Sequence, residues 1–317
     1  MVASVVYPDM YNTMLKYADV VNLNVGWILS AGCFIDTDFY HNLLLSTILP
    51  LVVFCVVITS HKVTSMTQST SNRLTRARID RKHALVLFWV SFLVYATVSS
   101  IIFQTFACDD FDTGISYLRV DHSLECYTAK HTFFMVYAGV MTVVYPFGVP
   151  FCYAVVLYRG RAVLKDAVTR ETFTNDSSVL RELWIAYRPE AYFYEVVECV
   201  RRVVLSGVIV FIFPNTAGQI ATAFLLALFF AAVFLVINPY TSSFDTWVAR
   251  VGHTVVLMSM FVALLQKVEF GGDDDISQDV FAVVLVLANA VMIAVVGAEA
   301  YGMCVIAVQE VHHPVAT

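Results

Sequence analysis

The chain has 317 residues, of which 59% are hydrophobic and 14% are charged, and its mean hydropathy is +0.74. Average soluble proteins carry about 25% charged residues. The composition therefore excludes an ordinary soluble globular protein and indicates a multi-pass membrane protein. The net charge of −6 excludes little, because the placement of charges matters more than their sum in such a protein.

Residues 1–42 precede the first long apolar stretch and are predicted to form an extracytoplasmic segment. Residues 1–17 lack a basic start followed by an apolar core and a small-residue cleavage site, so no signal peptide is predicted there. The apolar stretch 20–34 is interrupted by Asn22 and Asn24. We expect an interfacial or re-entrant segment there, with an eighth span as the alternative.

Seven later stretches are long enough to cross a hydrocarbon layer of roughly 30 Å as helices. They are residues 43–60, 84–106, 133–158, 191–213, 219–237, 248–265 and 280–297. We therefore predict an all-α fold, in which a transmembrane bundle of about seven spans occupies residues 43–308. A cytoplasmic tail follows at residues 309–317. Pro146 and Pro150 lie inside the third stretch and are expected to kink its helix.

Basic residues indicate the orientation of the bundle, because cytoplasmic loops are enriched in lysine and arginine. Loops 61–83 and 159–190 are basic, whereas loops 107–130 and 266–279 are acidic. We predict that the N-terminus and the acidic loops lie outside, and that the C-terminus is cytoplasmic.

Three cysteines fall on the predicted outer side, where a disulfide persists if the compartment is oxidising. Cys108 and Cys126 share one loop, so we expect them to pair; a bond from Cys33 to either is the alternative. No cysteine spacing is typical of zinc or iron–sulfur ligation, and neither a metal nor a cofactor is predicted.

Two groups of charged residues are candidate functional sites. Acidic side chains in the outer loop before the seventh stretch form a candidate pore mouth, because carboxylate rings in an oligomer concentrate cations. They are Glu269, Asp273, Asp274 and Asp275. The alternative is a solvated acidic turn without a function.

The second group opens the fourth stretch, near the predicted cytoplasmic boundary. On a helix, Glu195, Glu198 and Arg202 share one face, and Arg201 can reach the Glu198 carboxylate. One interpretation is an interfacial ion-pair ladder with arginines that extend to water. The other is a coupling cluster whose charges exchange partners during gating or transport.

Enzyme activity is not expected. The sequence contains no glycine-rich phosphate loop, no HExxH and no GxSxG motif. The interiors of the predicted spans also lack almost any aspartate that could serve an intramembrane hydrolase.

Short motifs occur in a fixed order along residues 14–265. They are Met14-Leu-Lys-Tyr-Ala-Asp19 with Cys33, Phe103-Gln-Thr-Phe-Ala-Cys108, Tyr117-Leu-Arg-Val-Asp121 with Cys126, Tyr145-Pro-Phe-Gly-Val-Pro150, Leu157-Tyr-Arg-Gly-Arg161, the run 187–202, Gln219 and Asn238-Pro-Tyr240. With these motifs the chain resembles the C-terminal, transient-receptor-potential-like membrane module of very large receptor-like surface proteins of algae and oomycetes. The resemblance implies a polycystin-like cation-channel bundle, with the second to seventh stretches as its six helices and the acidic loop at the pore-loop position.

We therefore expect a cation channel or channel-like subunit in the plasma membrane or an endomembrane. Its expected partners are membrane lipid, an inorganic cation, and further copies of the chain or a larger membrane complex, but no nucleic acid. The fifth stretch carries no arginine, so direct voltage sensing is not expected. Two alternatives stay open: a seven-helix receptor or signal-transducing anchor, and a structural subunit of a larger membrane assembly.

Overall fold

The computed structural model describes residues 38–67, 73–111, 114–166, 169–170, 181–214 and 216–268, and the single positions 287 and 290. The described chain is mostly helical, and five of its helical segments are long and apolar enough to cross a membrane. They correspond to the first, second, third, fifth and sixth predicted stretches. The seventh stretch, 280–297, lies almost entirely outside the described residues, and the orientation of the bundle stays a prediction.

The first two spans are helix α1, Phe39–Thr67, and helix α2, Arg73–Gln104. Both helices are longer than the apolar stretches predicted from the sequence. The backbone hydrogen bonds of a helix do not depend on its side chains, so a helix can continue past the end of its apolar stretch. The end of α1 meets the start of α2, where the ring of His61 lies 2.7 Å from the carboxylate of Asp80. The two helices therefore pack as a hairpin.

The third span, Ala129–Lys165, is interrupted by a π-helical turn. Helix α3, Ala129–Thr142, leads into the turn at Val143–Phe147, and helix α4, Gly148–Lys165, follows it. The turn contains Pro146, which lacks an N–H and whose ring clashes with the carbonyl four residues earlier in a regular helix. The irregularity expected at Pro146 is therefore present, whereas Pro150 falls in the first turn of α4, where a proline is tolerated.

The fourth predicted stretch, 191–213, is corrected by the structure, because it is not one continuous α-helix. Helix α5 covers only Tyr194–Ser206, and a 3₁₀ turn follows at Val208–Phe211. At Gly207 between them, an added Cβ would lie 2.2 Å from a ring carbon of Phe103. The close approach of α2 thus requires glycine at the point where the helix ends.

Helix α6, Ala217–Ile237, and helix α7, Ser243–Lys267, are joined by a short linker. Asn238 ends α6 in the left-handed conformation, with φ 43°, which asparagine tolerates better than most residues. Ser242 caps α7 by accepting hydrogen bonds from the backbone N–H groups of Phe244 and Asp245. At the other end of α6, Gln219 is buried and donates to the Ile209 carbonyl at 2.9 Å.

The outer loop between α2 and α3 contains a small sheet, which corrects the all-α prediction. Its antiparallel strands are β1, Cys108–Asp110, β2, Ser116–Leu118, and β3, Asp121–Glu125, in the order β1-β2-β3. A disulfide joins Cys108 to Cys126, with 6.4 Å between the two Cα atoms. The expected pairing is confirmed; the alternative partner, Cys33, lies outside the described residues.

Two aspartates attach this sheet and the start of α3 to the start of α1. Asp121 accepts a hydrogen bond from the N–H of Phe39 at 3.4 Å, and Asp38 pairs with Lys130 at 2.8 Å. A hydrogen bond from Ser123 lowers the pKa of Asp121 and outweighs the opposing effect of burial. Burial raises the pKa of Asp38, but hydrogen bonds from Lys130 and His41 outweigh it, so that the net shift is downward.

Helix α2 lies between the two main core clusters. One cluster joins α2 to α4 and α5 and includes Tyr95, Tyr153 and Cys199. The other joins α2 to α1 and α3, where the rings of Tyr40 and Phe134 stack with centroids 4.1 Å apart. Burial on both sides makes α2 the central helix of the described bundle.

Candidate functional site

The charged residues of α5 form a largely buried cluster centred on Glu198, which contains the predicted contact between Glu198 and Arg201. Glu198 is only 9% exposed. Its carboxylate accepts two hydrogen bonds from Arg201, of which the one from Nε is 2.9 Å long, and one from Arg202 Nε at 3.3 Å. One carboxylate therefore holds two guanidiniums, and charge-assisted contacts of this kind are the stronger hydrogen bonds of proteins.

Glu195 belongs to the same helix but has a different partner. It is 6% exposed, and its Oε2 accepts a hydrogen bond of 2.6 Å from the hydroxyl of Tyr187. Its Oε1 has no hydrogen-bond partner among the described residues. The sequence alone places Glu195, Glu198 and Arg202 on one helix face. It does not predict that Glu195 accepts its hydrogen bond from a tyrosine that precedes the helix.

Two further contacts connect the cluster to α2. The guanidinium of Arg202 lies over the ring of Phe92, 4.5 Å from its centroid. The hydroxyl of Tyr95 lies 3.3 Å from the carbonyl oxygen of Cys199 in α5 and 3.3 Å from that of Pro146 in the π-helical turn. One buried side chain of α2 therefore contacts both the charged helix and the irregular part of the third span.

The segment before α5 is clasped to the linker between α6 and α7 by main-chain hydrogen bonds. The Arg188 N–H donates to the Pro239 carbonyl at 2.7 Å, and the Thr241 N–H donates to the Ala186 carbonyl at 3.0 Å. Burial, and then the nearby Glu195, raise the pKa of Tyr187. Burial, and then Glu198, raise the pKa of Tyr240 to about 12. Both hydroxyls therefore stay neutral beside the carboxylates.

Arg170 holds the same segment from the other side. It is 8% exposed, and its Nη2 donates to the carbonyls of Trp184 and Tyr187 at 2.5 and 2.6 Å. Its guanidinium also lies over the Trp184 ring, 4.7 Å from the centroid, and burial lowers its pKa. In the sequence, Arg170 is one of several basic loop residues. In the structure, it is buried and stabilises the segment before α5 through hydrogen bonds to two of its carbonyls.

A cavity of about 520 Å³ lies beside the cluster, between α5, the end of α6 and the first half of α7. Glu198 and Arg201 line one part of it, and Asp245 and His253 of α7 line another. The ring of His253 stacks on Phe234, with centroids 4.8 Å apart. Volumes of roughly 300–1,000 Å³ are typical of small-molecule sites.

The remaining lining of this cavity is aromatic and aliphatic. Besides His253, three rings line it, those of Tyr194, Phe234 and Tyr240, with Val248 and Val255 of α7. The sequence alone does not predict that α7 and Tyr240 line a cavity beside α5, because residue spacing within one helix does not indicate which other helix packs against it.

The remaining sequence-predicted residues are those of the candidate pore mouth and of the outer cysteines. All four acidic residues of the candidate pore mouth, at positions 269 and 273–275, lie outside the described residues. Among the described residues, only Cys108, Cys126 and His131 bring three metal-type ligands within 4.8 Å of one another. Both sulfurs are in the disulfide, and His131 accepts from the Tyr127 N–H and contacts the Thr105 carbonyl at 3.0 Å with its other nitrogen. This group therefore offers no free thiolate.

Comparison of the chain with protein-family models, curated proteins and solved structures finds no match. The class of the protein follows from the fold: five apolar helices, with largely apolar outer surfaces, are those of a helical integral membrane protein. Within that class, the buried charge cluster of α5 and the cavity beside it form the candidate functional site.

Proposed function

We propose that this protein is a cation channel or a channel-like subunit. The observation that carries the proposal is the buried cluster of Glu198, Arg201 and Arg202 beside a cavity large enough for water. Ionisable side chains are expensive to bury in a helical membrane protein, and buried ones commonly mark ion pathways, gates or coupling sites; this cluster lies near the predicted cytoplasmic boundary, where a gate can be coupled to the bundle. The sequence resemblance to the transient-receptor-potential-like module supports the same function.

The contacts of the cluster suit a coupling role. Tyr95 contacts both α5 and the π-helical turn at Pro146, and such turns are frequent at functional sites. The clasp joins residues 186–188 to the linker that leads directly into α7. In the proposed channel, a shift of α7 moves the segment before α5, which contacts α5 through the Tyr187–Glu195 hydrogen bond, and Tyr95 connects α5 to the irregular part of the third span.

The surface of α7 supports an assembly of several copies. In its most apolar stretch of 18 residues, only 11% is buried within the chain, which is less than in any other candidate span of the described residues. In the proposed channel, this surface packs against the seventh stretch and neighbouring subunits, and the last two spans line the path.

Cation flux into liposomes tests the proposal. Purified protein is reconstituted in phosphatidylcholine–phosphatidylglycerol liposomes, and the uptake of Na⁺ and Ca²⁺ is followed with entrapped indicators. We expect uptake above that of empty liposomes, and a change of roughly fivefold or more in the Glu198→Gln variant if the cluster is coupled to the gate. Absence of flux from wild-type protein, together with absence of current in planar bilayers, contradicts channel activity.

A seven-helix receptor or signal-transducing anchor is the second candidate, and the cavity favours it. Its volume and its mixture of aromatic, aliphatic and charged lining groups fall within the range typical of small-molecule sites. A ligand-dependent association with a cytosolic protein, without any cation flux, would support this function over the channel.

A further inference from the structure

The cavity beside α5 contains a carboxylate that the charge cluster does not use. Glu198 is held by two arginines, whereas no described residue forms an ion pair with Asp245 on the opposite wall. Arg201, the single guanidinium of the lining, is already bonded to Glu198 through two nitrogens, so that Asp245 is the one lining carboxylate without an ion-pair partner among the described residues. The cavity therefore favours a cation over an anion.

The lining also decides which kind of cation fits. Calcium takes six to eight oxygen ligands, chiefly from carboxylates and carbonyls, and magnesium binds through one or two carboxylates together with several waters in a strictly octahedral arrangement. Apart from the paired Glu198, Asp245 is the one carboxylate in the lining, and most of the other lining groups are rings and aliphatic side chains. An organic cation has the opposite requirement, because much of its surface is apolar.

Three aromatic rings form a continuous wall of the cavity. The centroids of Tyr194, Phe234 and Tyr240 lie 6.3–6.5 Å from one another. This spacing is too close for a substituted ammonium to sit between the rings, so that a ligand would lie against the wall. Aromatic faces attract ammonium groups within about 6 Å of the ring centroid.

We propose that this cavity binds an amphipathic organic ammonium ion. Its nitrogen pairs with Asp245, and its apolar part lies against the aromatic wall and against Val248 and Val255 of α7. The ammonium group can come from a soluble amine or from the head group of a choline phospholipid, because the cavity lies at the ends of two candidate spans. Binding does not require ion conduction, so the proposal is independent of channel activity.

Benzyltrimethylammonium is a suitable probe, and neopentylbenzene is its uncharged analogue of nearly the same shape. Binding to purified protein in dodecyl maltoside is measured by isothermal titration and by ligand-observed NMR. We expect saturable binding of the cation and at least about tenfold weaker binding of the neutral analogue, since 1.4 kcal/mol corresponds to a factor of ten. No saturable binding, or equal binding of both compounds, overturns the proposal.

Variants locate the site. Asp245→Asn should weaken the binding of benzyltrimethylammonium at least about tenfold, because an ion pair near a protein surface supplies an interaction of this size. Asp245→Glu keeps the charge and should retain most of the affinity, and Asp110→Asn, in the outer sheet, should leave it unchanged. Val248→Trp fills the cavity without changing its charge and should also abolish binding. Unchanged affinity in Asp245→Asn and in Val248→Trp overturns the assignment.

A competition experiment then distinguishes the two sources of the ammonium group. If the site takes a choline phospholipid, dihexanoylphosphatidylcholine should displace the probe, and dihexanoylphosphatidylglycerol should not. If neither displaces the bound probe, the site takes a soluble amine. Displacement by both phospholipids to the same extent contradicts recognition of an ammonium group.

Discussion

Glu198→Gln is the sharpest test of the charge cluster, because glutamine keeps the shape of the side chain and removes its charge. Breaking a buried ion pair from one side costs about 3–5 kcal/mol. Here the arginines retain some access to water, with side chains of Arg201 and Arg202 19% and 29% exposed, so that they can hydrate in part. We therefore expect the free energy of unfolding to fall by about 3 kcal/mol, the lower end of that range.

Glu195→Gln is the matched control on the same helix. The Tyr187 hydroxyl can still donate to the amide oxygen, and no described arginine is hydrogen-bonded to Glu195. The expected loss is about 1 kcal/mol or less. Both variants are unfolded from dodecyl maltoside by titration with sodium dodecyl sulfate, followed by tryptophan fluorescence. Equal losses in the two variants would refute the argument that Glu198 alone holds the arginines.

Three further changes test other parts of the structure. Cys108→Ser should lower the free energy of unfolding by about 3 kcal/mol, measured in the same titration, with dithiothreitol producing the same loss in wild-type protein only. The lowered pKa values of Asp38 and Asp121 stabilise the folded state above pH 3.8, and this contribution should be lost as the pH falls through the lowered pKa values. Hydrogen exchange of the outer sheet should become faster in that pH range. The increase should be smaller in Asp121→Asn, which lacks the Asp121 carboxylate and therefore its pH-dependent contribution. Arg170→Lys should lower the free energy of unfolding by about 1–2 kcal/mol, because a lysine cannot reproduce the planar contact with two carbonyls and the Trp184 ring. An unchanged melting temperature would contradict this role of Arg170.

Hydropathy alone located five of the helical spans, because each must expose apolar side chains over a whole membrane thickness. It could not find the end of α5 at Gly207, which depends on the approach of Phe103 from another helix. The three short strands were also missed. They alternate weakly in burial, and the sheet is held together in part by the disulfide, which joins β1 to the residue after β3.

The candidate site was predictable only within α5. Spacing of three or four residues brings Glu198 close to Arg201 and Arg202 in any helix, and the structure contains both contacts. The partnership of Glu195 with Tyr187 depends on a 3₁₀ turn at Pro189–Ala191 that folds the tyrosine back onto the helix. Asp245 and His253 join the site only because α7 packs beside α6, and no pattern within one helix reports such an approach.

The clasp between residues 186–188 and the linker has a consequence for mutational tolerance. Its two main-chain hydrogen bonds use the N–H groups of Arg188 and Thr241 and the carbonyls of Ala186 and Pro239, and every amino acid except proline can supply such an N–H. Thr241→Ala should therefore leave the clasp intact, and Arg188→Ala should remove only the side-chain hydrogen bond from Nε to the Tyr240 carbonyl, whereas proline at 188 or 241 should open the clasp. Residues 186–188 can therefore vary in sequence while the main-chain hydrogen bonds to the linker stay the same.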